Sequence, residues 1–206
     1  MSNVEYSVFE YGQKEMDQLR KADKRLGAAI DQYGKVERVM IPDLFTALIH
    51  AMVGQLVSVK AAATIWGRML QHFEDISARS LANQSADQIQ ECGMTMKKAV
   101  NIHRIAQMIA EREFDLEELH QLPDEQVIRK LTILPGVGRW TAEMLLIHAM
   151  GRPDVVSWGD LAIRRGMMRL YNLSSLSREQ FDTYRLAYSP LGSVASIYLW
   201  KISSEQ

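Results

Sequence analysis

A chain of 206 residues with 47% hydrophobic side chains has enough length and apolar content to bury a full core, which excludes a disordered polypeptide. No run of 18 uncharged apolar residues occurs, and Met1 to Glu10 lacks a basic stretch followed by an apolar one, so neither a membrane span nor a secretory signal is expected. With 24 Lys and Arg against 25 Asp and Glu, the net charge of −1 leaves no basic stripe over the whole surface.

The expected location is therefore cytoplasmic. A single cysteine, Cys92, excludes an internal disulfide, a four-cysteine zinc site and a conventional iron–sulfur cluster. The histidines, His50, His72, His103, His120 and His148, are spread too widely for a local metal signature. A small local excess of positive charge does occur between 139 and 172. There Arg139, Arg152, Arg164, Arg165 and Arg169 outnumber Glu143, Asp154 and Asp160.

Helical periodicity dominates the chain, and no long polar–apolar alternation suggests a half-buried strand, so the fold class reads as all-α. In chain order the spacing predicts helices over 12–33, 42–55, 58–73, 85–92, 95–112, 124–132, 138–150, 160–171, 177–188 and 190–203. Ser85 to Gln88 and Ser177 to Gln180 have the pattern of a capping box, in which the serine oxygen and the glutamine side chain satisfy each other's backbone amides. Pro42, Pro123 and Pro190 suit a first helical turn, where a missing N–H costs nothing. Gly151 followed by Arg152-Pro153 suits a helix stop. Residues 42–150 form one expected lobe, ending in a helix–hairpin–helix at about 124–150, and 1–41 joins 151–206 in a second.

Leu134-Pro135-Gly136-Val137-Gly138 lies between two apolar-periodic segments. Glycines at 136 and 138 allow positive φ and close backbone approach, so amides of the hairpin and of the next helical turn can converge on a phosphate. Backbone dipoles supply that attraction, which removes the need for a basic protein. Arg139 and Thr141 add side-chain donors. An ordinary tight turn between helices is the competing reading of the same five residues.

Leu134 to Gly138 followed by Arg139-Trp140-Thr141-Ala142, with Gly159-Asp160-Leu161 about twenty residues on, resembles the hairpin and aspartate of the HhH-GPD DNA glycosylases. Val53 to Ala62, containing Gly54-Gln55-Leu56-Val57-Ser58, is similar to the helix-to-helix turn of the AlkA-like branch, the 3-methyladenine DNA glycosylases II. Pro190, Ser193, Ala195, Tyr198 and Trp200 resemble that branch's C-terminal helix. The resemblance implies an all-α fold of two helical lobes with a cleft between them. It also implies a compact version, because there is no room for the N-terminal β-rich domain of AlkA.

The same resemblance implies residue roles. Asp160 becomes the catalytic carboxylate, which stabilises the oxocarbenium-like transition state of C1′–N cleavage and orients water. A capping box from Ser157 to Asp160 is the structural reading of that residue. Leu56, with Gln55, becomes the wedge that fills the gap left by a flipped base, against the reading of Leu56 as a buried helix end. Trp140 and Trp200 become pocket walls for cationic alkylated purines, with Met144 standing where relatives have tyrosine and Trp158 bordering the site. Gly136, Val137, Gly138, Arg139, Thr141, Ser58, Lys60 and Arg164 are the implied DNA-backbone contacts, whereas Trp66 is assigned to packing.

Trp140 also occupies the position at which bifunctional relatives carry a lysine nucleophile, so a monofunctional enzyme without lyase activity is implied. No cofactor is required. A monovalent cation on the backbone carbonyls of Thr132, Leu134 and Val137 is implied, and the cysteine pattern of the iron–sulfur relatives is absent. The implied partner is double-stranded DNA with damaged bases, engaged by a monomer. Two other readings remain open: a non-catalytic helix–hairpin–helix module that binds DNA, and a glycosylase for hypoxanthine, ethenoadenine or a mispaired base.

Overall fold

The computed structural model describes residues 4–205. Among these the elements are β1 (Ser7–Val8), α1 (Gln13–Ala22), α2 (Lys24–Tyr33), β2 (Val39–Met40), α3 (Leu44–Gly54), α4 (Val59–His72), α5 (Ala78–Ala82), α6 (Ala86–Gln90) and α7 (Met96–Ala110). A 3₁₀ turn at Glu117–Gln121 follows, then α8 (Asp124–Leu131), α9 (Arg139–His148), α10 (Leu161–Tyr171), α11 (Arg178–Tyr188) and α12 (Gly192–Ser204). The two short strands pair with each other, so among the described residues the fold is helical apart from one minimal ribbon.

The helix expected over 12–33 is broken at Asp23, whose φ of −143° and ψ of 117° are extended. Its carboxylate accepts the Leu26 N–H at 2.8 Å, while its own N–H closes the preceding helix on the Leu19 carbonyl. A short acidic side chain that can bond local amides favours a cap over a helix interior, and this outweighs the continuous periodicity. Both expected capping boxes form, at Ser85 with Gln88 and at Ser177 with Gln180. The prolines stand ahead of the helices rather than within the first turn: Pro123 is the N-cap of α8, and α3 and α12 begin at Leu44 and Gly192. The short helix α5 and the 3₁₀ turn at Glu117–Gln121 are additions to the expected set, too brief to show a period.

The described residues divide into two compact units, one of residues 4–7 with Ile41–Met150 and the other of Val8–Met40 with residues 151–205. In the first unit, α3 is apolar on nearly every side, from Leu44 and Phe45 through Leu48 and Ile49 to Met52 and Val53, all buried. Such a helix has no solvent face to offer, so it becomes the centre of a core. It packs on α4, α7 and α9, and α9 is itself buried from Thr141 to Ile147. Each fully buried leucine or isoleucine here contributes about 1.5–3 kcal/mol.

In the second unit α10 and α12 cross in close contact. A β-carbon added at Gly166 of α10 would lie 2.0 Å from the Leu199 carbonyl oxygen of α12, so only glycine allows this approach. Helix α2 packs on both, and α11 closes on α12 and α1. Buried hydroxyls are satisfied locally. Tyr198 donates to the Gly34 carbonyl at 2.8 Å, and Tyr171 donates to Asp23 at 2.6 Å while meeting the Tyr188 hydroxyl at 2.8 Å. Burial pushes the ionisation of all three phenols upward, so they act as neutral donors.

Candidate active site and nucleic-acid interface

The hairpin and the turn after α3 lie in the first unit and are joined by side chains. Gln55 Nε2 donates to the Gly136 carbonyl at 3.0 Å and to Thr141 Oγ1 at 2.8 Å. Lys98 of α7 donates from Nζ to the carbonyls of Val53 and Gln55 at 3.1 and 3.0 Å, capping the end of α3 with a cation. Desolvation holds that ammonium below its ordinary pKa. On the other side Asn101 lies against the hairpin, its Nδ2 2.3 Å from where a β-carbon on Gly136 would stand. Gly136 has φ of +75°, so conformation and crowding both require glycine there.

Between Gln55 and α4 stands Leu56, fully exposed and with φ of +58°. A branched aliphatic side chain in the left-handed region, offered wholly to water, is doubly unfavourable, since the conformation alone costs about 1–2 kcal/mol. This excludes the reading of Leu56 as a buried helix end. Neighbouring Val57 and Val59 are exposed too. Ser58 caps α4 by accepting the Ala61 N–H at 3.2 Å, and Lys60 is exposed in its first turn.

The hairpin amides are not all available to an anion. Val137 donates its N–H to the Leu134 carbonyl at 3.1 Å, and its side chain is buried. The phosphate-facing set suggested by the sequence is therefore narrowed by Val137, leaving Gly136, Gly138 and the opening turn of α9, whose N-terminal amides have no carbonyl one turn back. Thr141 is buried, and its hydroxyl serves Gln55, so its side chain ties the hairpin to α3 rather than facing outward. Arg139 is exposed but engaged: Nε donates to Glu143 at 2.9 Å, and the guanidinium also pairs with Glu125. The Glu125 hydrogen bond, foremost among several carboxylate contacts, raises its already high pKa.

Trp140 is half-buried at the start of α9, and Met144 one turn on is buried on the same face. Thr132 ends α8, and the carbonyls of Thr132, Leu134 and Val137 follow one another through the hairpin. Leu134 O accepts the Val137 N–H with one of its two lone pairs, so this backbone has the oxygen donors that a hard monovalent cation takes.

The second unit holds Asp160, Trp158, Arg164 and Trp200. Asp160 is 8% exposed and is the N-cap of α10: Oδ1 accepts the N–H groups of Ala162 and Ile163 at 2.8 and 2.9 Å. This corrects the expected capping box, in which Ser157 would have been the cap and Asp160 the third helical residue. Because Asp160 is itself the cap, two amides fix its carboxylate at the positive end of the helix.

Trp158 is enclosed by its own unit. Phe181 meets it edge-on at 5.1 Å, and the Arg164 and Arg178 guanidinium groups lie 4.8 and 5.4 Å from its ring centroid. Arg164 Nε is buried without a hydrogen-bond partner, so Arg164 is held by stacking on this ring. Trp200, on α12, carries the Arg38 guanidinium 4.3 Å over its ring. Arg38, Lys98 and Asn101 all escaped the sequence reading. Each contacts a site residue far away in the chain, and no local spacing announces such a contact.

The family of HhH-GPD superfamily base excision DNA repair proteins matches residues 49–186, a span that includes the α3–α4 turn, the hairpin and Asp160. The DNA-3-methyladenine glycosylase 1 of Schizosaccharomyces pombe is 30% identical over 192 residues, which cover 87% of this chain and 81% of its own. A solved structure of the 3-methyladenine DNA glycosylase of that yeast, in complex with abasic DNA, superposes with a TM-score of 0.83 at 27% identity, covering 92% of this chain and 96% of that one. The DNA-3-methyladenine glycosidase of Bacillus halodurans gives a TM-score of 0.78 at 30% identity over 97% and 93% of the two chains. The match over two thirds of the sequence, which takes in the α3–α4 turn, the hairpin and Asp160, establishes that this chain belongs to the HhH-GPD superfamily of base excision DNA repair proteins.

Proposed function

We propose that the protein is a monofunctional DNA glycosylase that acts as a monomer on double-stranded DNA and hydrolytically excises alkylated purines of the 3-methyladenine and 7-methylguanine type. The observation that carries this reading is Leu56, an apolar side chain held in the left-handed region, fully exposed, and braced through Gln55 and Lys98. A side chain so placed gains nothing in the free protein. It gains when it enters a base stack from which a nucleotide has been everted. The names of the relatives point to alkylated purines as the bases removed.

In the proposed reaction the C1′–N bond breaks and its electron pair leaves with the purine. For a cationic N3- or N7-alkylated base this yields a neutral leaving group, so little acid catalysis is needed. Positive charge develops on the sugar, and the Asp160 carboxylate stabilises it electrostatically. A water oxygen then bonds to C1′ and its proton passes to Asp160 or solvent, leaving an abasic site. Trp140 stands where a lysine would serve as nucleophile, and an indole forms no Schiff base, so strand cleavage is not part of the reaction.

Gly138 and the first turn of α9 hold the phosphate backbone, with Ser58, Lys60 and Arg164 adding contacts. Arg139 joins them by exchanging Glu125 for a phosphate. Trp140, Met144 and Trp200 are each assigned a contact with the everted base, and Met144 offers it a softer surface than an aromatic ring. Trp158 borders it from behind its arginine cover. The carbonyls of Thr132, Leu134 and Val137 would hold a monovalent cation, which would supply further positive charge to the hairpin.

Mass spectrometry of bases released from methylated duplex DNA tests the proposal. The wild type is expected to release 3-methyladenine and 7-methylguanine without cutting the strand, and Asp160→Asn is expected to bind abasic DNA while releasing both roughly a hundredfold to a thousandfold more slowly. A wild-type protein that binds abasic DNA but frees no base at any concentration would instead establish a non-catalytic binding module.

A further inference from the structure

Both tryptophans that the second unit contributes near Asp160 already carry guanidinium groups of the protein itself. Trp158 is covered by Arg164 and Arg178, and Trp200 by Arg38 at 4.3 Å. A cation on one face of an indole draws electron density toward it and weakens the hold of the opposite face on a second cation. An electron-rich neutral ring, by contrast, stacks on a polarised indole without repulsion. Arg38 is also within electrostatic reach of Asp160, whose negative charge it offsets in part. Both effects act in the same direction.

We propose that Arg38 is a specificity-determining residue: by stacking on Trp200 and offsetting the charge of Asp160, it lowers the preference of the base pocket for cationic rings and admits uncharged modified purines. The proposal rests on the assignment of Trp200 and Asp160 to the base site. The geometry is built rather than incidental. Arg38 precedes β2 directly, and its carbonyl accepts the Phe9 N–H at 2.8 Å, which anchors the backbone from which the side chain reaches Trp200. Burial holds the guanidinium below its ordinary pKa while Asp160 opposes that shift, as expected for a desolvated cation kept near one carboxylate. The backbone anchor does not involve the side chain, so replacing the side chain leaves it in place.

The test compares wild type, Arg38→Met and Arg38→Lys. Equilibrium binding is measured to duplexes carrying one 2′-fluoro nucleotide, which resists hydrolysis, with either cationic 7-methylguanine or neutral 1,N6-ethenoadenine as its base. Arg38→Met, which keeps an unbranched chain and removes the charge, is expected to raise the ratio of cationic to neutral affinity about tenfold. Arg38→Lys, which keeps a cation able to lie over the indole without the guanidinium plane, is expected to change the ratio by no more than about threefold. An unchanged ratio in Arg38→Met overturns the proposal, and so does failure of all three proteins to prefer either duplex over undamaged DNA. An equal change in both variants overturns it too, because shape rather than charge would then be responsible. Base release plays no part in these measurements, so a failure of the glycosylase assignment is detected separately, in the release assay on unmodified sugars.

Discussion

The carboxamide of Gln55 donates to the hydroxyl of Thr141 at 2.8 Å, joining the turn that presents Leu56 to the helix that follows the glycine hairpin. The same nitrogen reaches the Gly136 carbonyl at 3.0 Å. Two segments more than eighty residues apart are thereby locked as one surface. Thr141→Val removes the acceptor of a part-buried hydrogen bond and is expected to destabilise the protein by about 0.5–1.5 kcal/mol in urea denaturation. Gln55→Ala removes the donor and loosens the turn. Its expected signature is a larger loss in base release than in stability, read from single-turnover rates alongside melts.

Leu56→Gly separates conformation from function. Glycine relieves the left-handed strain at φ +58° and removes a fully exposed apolar side chain, so the melting temperature should be equal to or above that of the wild type. Base release should nevertheless fall by about tenfold or more, as expected for loss of a stacking wedge worth a few kcal/mol. A variant that is both stable and fully active would remove Leu56 from the mechanism.

For Asp160 the two roles divide by substitution. Asparagine can still accept the Ala162 and Ile163 amides, so Asp160→Asn should change stability by less than about 1 kcal/mol. Its rate of base release should drop by roughly a hundredfold to a thousandfold, because the negative charge is gone. Asp160→Ala loses the cap as well and should cost a further 0.5–2 kcal/mol or so in thermal or urea unfolding.

The two hairpin glycines should respond differently to alanine. At Gly136 an added β-carbon meets Asn101 Nδ2 at 2.3 Å and φ is +75°, so Gly136→Ala should destabilise by about 1–3 kcal/mol and weaken binding to abasic DNA. Gly138 has φ of −101° and open space around its α-carbon. Gly138→Ala should fold as the wild type does, and any change in its DNA affinity reads out close backbone approach to phosphate.

Gly166→Ala tests the framework of the second unit. The new β-carbon would fall 2.0 Å from a backbone oxygen of α12, which no side-chain rotation relieves. A loss of about 3 kcal/mol or more is expected, together with a displaced α10 N-terminus and a fall in base release. Differential scanning calorimetry and the release assay on the same preparation measure both.

The helices were legible because apolar spacing is a local property, and so were the caps at Ser85 and Ser177, where donor and acceptor lie three residues apart. Asp23 shows where local reading stops short, since periodicity runs straight through the break and only the competition between cap and helix interior places it. The hairpin, Asp160 and the Gln55-Leu56 turn could be read as motifs because each lies within a few consecutive residues.

What only the tertiary structure decided is the use each motif residue makes of its groups. The sequence presents Val137 and Thr141 as donors toward a phosphate, yet the folded chain commits one to a carbonyl within the hairpin and the other to Gln55. It offers tryptophan rings as bare faces, and packing lays Arg38, Arg164 and Arg178 across two of them. Local chemistry sets which groups a residue brings. Which of those groups remain for a ligand depends on partners from distant segments, and those contacts exist only once the core around α3 and the crossing of α10 with α12 have formed.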